Sequence, residues 1–244
     1  MNKTIIFNWK SNPDSEKQAI NLAKASDYKN FIICPPFVFL PSIKRVLKKA
    51  KLGSQNVFGT ESGSYTGEIS SNQLKKLGVR YVIIGHSERR RYFGENDKII
   101  NQKIKVCLKN NLGVILCVGE LEKKTGISGL ESTRIFVEKQ LKRALLGIRP
   151  KNSDRFFIAY EPVWAIGSGW ADEPARSAMI MAYLRKFLSS YFGLKQSLTL
   201  YGGSITSQNI GQFLSYDSID GVLIGSAGLK ISEVKKIVKI TKAF

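Results

Sequence analysis

Three ionisable side chains in this sequence stand where proton chemistry could be done: Lys10 in TIIFNWK, His86 in YVIIGHSERR and Glu161 in FFIAYEP. Each follows a short run of aliphatic and aromatic residues, and His86 is the only histidine among 244 residues. A glutamate set among apolar residues is costly to leave unpaired, a setting that suits a general base. An imidazole can hand a proton to a neighbouring oxygen, and a lysine supplies a fixed point charge. Two small-residue turns, Gly202-Gly203-Ser204 and Gly225-Ser226, add backbone N–H groups of the kind that hold phosphate. Together these residues describe a cationic, phosphate-holding pocket with one base and one imidazole.

The elements that must position them read as an alternation. TIIFN (4–8), NFIIC (30–34), YVIIG (81–85), GVILCVG (113–119), FFIAY (156–160), SLTLY (197–201) and GVLIG (221–225) predict strands buried on both faces, and LGSQNV (52–57) is a weaker eighth. Helical patterns fall between them, at 96–110, 131–146, 174–192 and 231–241 among others. Eight strands and eight helices in βα order predict a parallel sheet. A chain of this length with no linker or compositional break is the size of a single-domain α/β protein, a closed (β/α)8 barrel over residues 1–244. An open doubly wound sheet would place a glycine-rich loop after its first strand, where FNWKSNPD (7–14) stands instead.

In such a barrel the chemistry gathers at the C-terminal ends of the strands. Those ends are Asn8 and Lys10, Gln55-Asn56, His86, Cys117 through Glu120, Glu161, Gly202-Gly203-Ser204 and Gly225-Ser226. Each residue also has an ordinary structural explanation: a hydrogen-bonded packing histidine, a lysine solvating a strand end, glycines in tight turns, Cys117 as a small buried filler. Unrelated structural roles would not converge on one barrel face. The stretch EPVWAIGSGWADEP (161–174) adds a segment that suits a hinged lid, with glycine-containing ends and an apolar tip.

Composition narrows the partners. The formal net charge of +19 favours anionic ones. The cations of IKRVLKKAK (43–51) and EVKKIVKITK (233–242), however, alternate with aliphatic residues at helical spacing, as on solvated helix faces. No zinc finger, aromatic ribonucleoprotein motif or basic tail turns charge into recognition, so nucleic acid is not an expected partner. One histidine and three scattered cysteines (Cys34, Cys107, Cys117) make neither a paired metal pattern nor a disulfide framework. No run approaches a membrane span, and MNKTIIFNWK carries no export signal. The expected setting is the cytoplasm, with no metal and no membrane.

The ordered motifs NWK (8–10), QNV (55–57), YTGEIS (65–70), GHSERR (85–90), CVGE (117–120), AYEPVWAIG (159–167), YGGS (201–204) and DGVLIGSA (220–227) cover essentially the whole chain and resemble the triosephosphate isomerase family. The resemblance implies a TIM barrel and a cofactor-free, metal-free interconversion of dihydroxyacetone phosphate and glyceraldehyde 3-phosphate through an enediolate, in glycolysis and gluconeogenesis. It implies Glu161 as the base, His86 as the electrophile and Lys10 as the fixed cation, with Asn8 holding the oxygen region. Backbone N–H groups of Gly167, Ser204, Gly225 and Ser226 would grip the phosphate. Pro162, Val163, Trp164, Ala165, Ile166 and Gly167 would form the lid, with Ile166 and Leu223 closing over Glu161. A short helical turn beginning at SERR would aim its N–H groups at the His86 ring and keep it neutral, with Glu88 and the arginines fixing that turn and Cys117 behind the site. The family is usually a homodimer, and Tyr65, Thr66 and Gly67 would reach into the partner subunit.

The sequence also departs from the family's pattern. The far end of the lid reads Ser168-Gly169-Trp170-Ala171-Asp172, where Thr-Gly-Lys before a small-residue pair is usual. PARSAM (174–179) stands in place of Pro-Glu-Gln, Ser226 in place of a second glycine, and Gly228 in place of serine. A phosphate-binding barrel with little catalysis, a polyanion-binding protein and another sugar-phosphate enzyme on the same barrel are the alternatives these residues leave.

Overall fold

In the computed structural model, which describes residues 3–148 and 155–244, eight parallel strands close on themselves. They are β1 (Thr4–Asn8), β2 (Phe31–Cys34), β3 (Lys51–Ser54), β4 (Tyr81–Ile84), β5 (Gly113–Val118), β6 (Phe156–Tyr160), β7 (Leu198–Gly202) and β8 (Gly221–Ile224). Every strand pairs with its sequence neighbours, and β1 closes the ring on β8 with Ile6 opposite Leu223. Successive side chains on a strand point to opposite faces. Here both faces are apolar, which is why no alternation is visible in the sequence.

Ile6, Ile32, Ile83, Ile115, Phe157, Leu200 and Leu223 fill the barrel interior, where the Tyr81 and Phe157 rings stack at 5.1 Å. Ile5, Phe7, Ile33, Val82, Leu116, Ile158 and Val222 face outward into a second apolar layer, under the helices. Those helices are α1 (Glu16–Ala25), α2 (Leu40–Val46), α3 (Ser71–Leu77), α4 (Ser87–Tyr92), α5 (Asp97–Lys109), α6 (Gly126–Ala144), α7 (Pro174–Phe192), α8 (Ile210–Leu214) and α9 (Ile231–Thr241). Local chemistry fixes their ends. Ser70 and Gln73 form a reciprocal capping box at α3, and Pro174 occupies the first turn of α7, where its missing N–H costs nothing. After α1, the Asp27 carboxylate accepts from the backbone N–H groups of Lys48, Lys49 and Ala50 and so ties that turn to the start of β3.

The expected architecture holds, with three adjustments. The described residues contain nine α-helices because β4 is followed by two, α4 and α5. The third strand runs 51–54 rather than 52–57, because beyond Ser54 the side chains of Gln55 and Asn56 are engaged across the barrel top. The helix expected at 131–146 begins at Gly126. Its glycines hide the first turn from a propensity reading, yet a Cβ on Gly129 would lie 2.5 Å from the Lys124 carbonyl, so that close approach calls for glycine.

Candidate active site

Lys10 sits just past β1 in the left-handed backbone region, at φ 54°, a conformation that costs a non-glycine residue ~1–2 kcal/mol. Its neighbours hold it there. Asn8 Oδ1 accepts from the Lys10 N–H at 3.1 Å, and Gln55 Nε2 donates to the carbonyls of Lys10 (2.7 Å) and Cys34 (2.9 Å). Lys10 Nζ then meets Glu88 Oε1 at 2.5 Å. Glu88 therefore does more than shape its own turn, because its carboxylate sets where the cation points.

His86 is the N-cap of α4, and its Nδ1 accepts from the Glu88 N–H at 3.2 Å. With Nδ1 an acceptor, the neutral ring carries its proton on Nε2. The arginines behind it anchor the turn. Arg90 Nε donates to the Gly85 carbonyl (2.8 Å) and its Nη1 to Asp97 (2.7 Å), while Arg89 pairs with Glu95.

Glu161 extends the β5–β6 ladder through its N–H to Val118 O (2.8 Å). The residue is 4% exposed, and its Oε1 lies 3.5 Å from His86 Nε2. Its Oε2 is buried with no hydrogen-bond partner among the described residues. Gly202 is glycine for this neighbour, because a Cβ there would lie 3.0 Å from Glu161 Cγ. Cys117 points into the barrel beneath the site. Burial, and then the Glu161 carboxylate, push its thiol well above the ordinary range, so it stays protonated and serves as packing rather than as a nucleophile.

One pocket of about 170 Å³ is lined by Asn8, Lys10, His86, Glu161, Ile166, Gly167, Ser204, Leu223, Gly225 and Ser226. Gly202, Gly203, Trp9 and Asn12 line it too, the last two unsuspected from sequence. A 3₁₀ turn, Ser226–Leu229, opens directly after Gly225 at the pocket wall. Tyr65, Thr66 and Gly67 lie elsewhere, on an exposed loop where the Tyr65 ring packs against Phe58 in a tilted arrangement, 4.5 Å between centroids.

The segment expected to form a lid is oriented differently from the expectation. Val163–Ala165 form a 3₁₀ turn packed against the barrel, with Pro162 and Ala165 buried and Val163, Trp164 and Ile166 half-buried. The exposed part is Gly167 through Trp170, so the apolar run is the underside and not the tip. Both of its ends are tethered. Val163 N–H donates to Glu120 O (2.9 Å) and Trp164 Nε1 to Glu120 Oε1 (3.0 Å). Ser204 Oγ donates to Ala165 O (2.7 Å), and Asp172 N–H donates to Tyr201 OH (2.8 Å). Tyr160, Tyr201, Asp172 and Arg176 were not among the expected site residues, and Glu120 was named only as the close of a strand end. Their partners are far apart in sequence, and only the close of CVGE at the end of β5 pointed to Glu120.

Among the described residues, no group of three or more His, Cys, Asp or Glu side chains could hold a metal ion, and no helix is long and apolar enough to cross a membrane.

The chain is similar to known proteins over most of its length. The family model for triosephosphate isomerase matches residues 3–241. The chain is 41% identical to a triosephosphate isomerase of Dictyoglomus thermophilum over 250 residues, covering 97% of this chain and 98% of that one. Identity is 48% over 206 residues to the enzyme of Dehalococcoides mccartyi (82% and 78% covered). It is 42% over 236 residues to that of Treponema denticola (93% of each). A closed eight-stranded barrel, a buried glutamate facing an imidazole across one pocket, and a match over nearly the whole length agree: the chain belongs to the triosephosphate isomerase family.

Proposed function

We propose that Glu161, His86 and Lys10 carry the reaction of this family, the interconversion of dihydroxyacetone phosphate and D-glyceraldehyde 3-phosphate. The observation that carries the assignment is the 3.5 Å approach of Glu161 Oε1 to His86 Nε2 inside a pocket that also holds Lys10 Nζ. Glu161 takes a proton from the carbon next to the carbonyl. Nε2–H of His86 donates to the carbonyl oxygen, and the Lys10 ammonium offsets the negative charge that gathers on the enediolate. Glu161 then returns the proton to the neighbouring carbon. The phosphate lies against the backbone of Gly167, Ser204, Gly225 and Ser226, and Asn8 helps hold the oxygen end. Ile166 and Leu223 exclude water above the base, which strengthens each electrostatic contact inside.

The single barrel domain requires no metal or cofactor for these steps. It works as a homodimer whose Tyr65–Gly67 loop enters the partner subunit, an arrangement favoured by the exposure of that loop. It serves glycolysis and gluconeogenesis in the cytoplasm, where three buried free cysteines remain reduced.

The test is turnover of glyceraldehyde 3-phosphate in a coupled assay, with Glu161→Gln alongside. The wild type is expected to turn over and the variant to lose roughly 10²–10⁴-fold in kcat, the usual share of a general base. A variant as fast as the wild type removes Glu161 from the chemistry.

A further inference from the structure

Asp172, at the far end of the lid, pairs with Arg176 in the first turn of α7. Arg176 Nη1 donates to Asp172 Oδ2 at 2.6 Å, and Ser177 Oγ donates to the same oxygen at 3.1 Å. From the other side of the guanidinium, Nη1 reaches Tyr160 OH (3.3 Å), while Nη2 donates to Thr133 Oγ1 (3.0 Å) and lies 3.6 Å from Glu120 Oε1. Tyr160 OH donates in turn to Glu120, at 3.0 and 3.1 Å. Asp172, Glu120, Tyr160 and Arg176 are all buried.

The consequence lies in what those carboxylates hold. The Glu120 carboxylate receives Trp164 Nε1 at the start of the lid, its backbone carbonyl receives Val163 N–H, and Asp172 gives its own N–H to Tyr201 OH at the end of the lid. One guanidinium therefore stands between both hinges. We propose that Arg176 is a positioning residue that couples the two ends of the lid through Asp172 and Glu120, so that they release and seat together. Lifting the start of the lid strips the buried Glu120 carboxylate of its Trp164 donor, and swinging its far end draws Asp172 away from the guanidinium, and each is costly for a buried carboxylate. Asp172 Oδ1, buried and without a partner among the described residues, is the acceptor left over by this arrangement. It is open to a lid N–H once the hinge rotates.

This inference rests on the isomerase reading, and its test separates the two. Wild type, Arg176→Met, Arg176→Lys, Asp172→Ala and Asp172→Ala/Arg176→Met are compared with glyceraldehyde 3-phosphate. Isomerisation, release of inorganic phosphate and thermal midpoint are followed together. An enediolate that escapes a closed lid loses phosphate by C–O cleavage, giving methylglyoxal and inorganic phosphate with no other reactant.

The expected result is that Arg176→Met loses about ten- to hundredfold in kcat, as misplaced catalytic geometry does, with KM nearly unchanged and more phosphate released per turnover. Arg176→Lys recovers part of kcat. The double variant loses no more than Arg176→Met does and melts above it, since it no longer buries Asp172 without a cation. Phosphate release per turnover equal to wild type in every variant, whatever the melting temperatures, would overturn the coupling and leave Arg176 a purely structural residue. Independent, multiplying effects of the two single substitutions would overturn it as well. An inactive wild type would instead remove the isomerase reading, and this inference with it.

Discussion

Oε1 of Glu161 stands 3.5 Å from Nε2 of His86, and both side chains are buried at the floor of the same pocket. That gap is too long for a good hydrogen bond between them, so neither group spends its capacity on the other. It suits two groups that act on neighbouring atoms of one ligand, the glutamate on a C–H and the imidazole on the adjoining oxygen. The tautomer is set from behind, by the Glu88 N–H on Nδ1, and Glu88 also reaches Lys10. One residue of α4 thereby fixes both the proton-donating nitrogen and the ammonium.

Replacing Lys10 by methionine removes the cation while keeping most of the apolar stem. Loss of a charged contact is worth ~1.5–3 kcal/mol, roughly ten- to hundredfold in binding. KM for glyceraldehyde 3-phosphate should rise by that factor, with kcat falling too. Initial rates over a range of substrate concentrations measure both, and an unchanged KM would place Lys10 outside the substrate's reach.

Gly202→Ala is a finer probe. The added methyl would meet Glu161 Cγ at 3.0 Å, Oε1 at 3.3 Å and Leu223 Cβ at 3.4 Å, so the carboxylate must move by a few tenths of an ångström. We expect kcat to fall about ten- to hundredfold while KM and the circular dichroism spectrum stay close to wild type. A variant with wild-type kcat would mean that the position of Glu161 is more tolerant than this packing implies.

Asp27 predicts a pH effect on stability. Burial works against its carboxylate, but the N–H groups of Ala50, Lys49 and Lys48 outweigh it and hold the group below the ordinary carboxylate range. A carboxyl whose folded value is depressed contributes stability above its unfolded value, and loses that contribution as pH falls through the folded one. Urea midpoints for the wild type should therefore exceed those of Asp27→Asn at neutral pH, and the difference should close on acidification below about pH 4. A gap that is independent of pH would assign the effect to packing alone.

The Tyr65–Gly67 loop predicts the assembly. Thr66→Asp places a charge on an exposed tip, where a monomer would tolerate it and a tight homodimer would not. Sedimentation velocity should show a dimer for the wild type and a shift towards monomer for the variant. A wild-type monomer would remove the dimer proposal.

How far the sequence could be read depends on what each feature rests on. Strands buried on both faces announce themselves as unbroken apolar runs, and seven of eight stood out that way. β3 did not, since LGSQ offers one large apolar residue and then turns polar for Gln55 to hold Lys10 and β2. Lys10, His86 and Glu161 were legible because each ends a strand, and the barrel brings those ends to one face. For the segment expected as a lid, the burial of its apolar run was not legible, because such a run looks the same whether it packs down or points up. The cluster of Glu120, Tyr160, Asp172 and Arg176 is drawn from three elements and their loops. In sequence only the close of CVGE, which holds Glu120, and the unusual residues at Asp172 and in PARSAM drew notice.

The closing pair of the barrel, β1 against β8, has a consequence in time. Translation delivers the strand that ends in Asn8 first and the strand that leads to Gly225 last, and the two are partners. Until β8 emerges, β1 keeps a bare edge on one side, with unpaired N–H and C=O groups open to any other extended chain. The contacts that complete the ring are also the most distant in sequence, which makes them slow to form. The pocket therefore has no nascent version: seven strands on a ribosome hold the lysine, the histidine and the glutamate but not the side of the wall made by Leu223, Gly225 and Ser226. Activity should appear with the eighth strand and not by degrees before it.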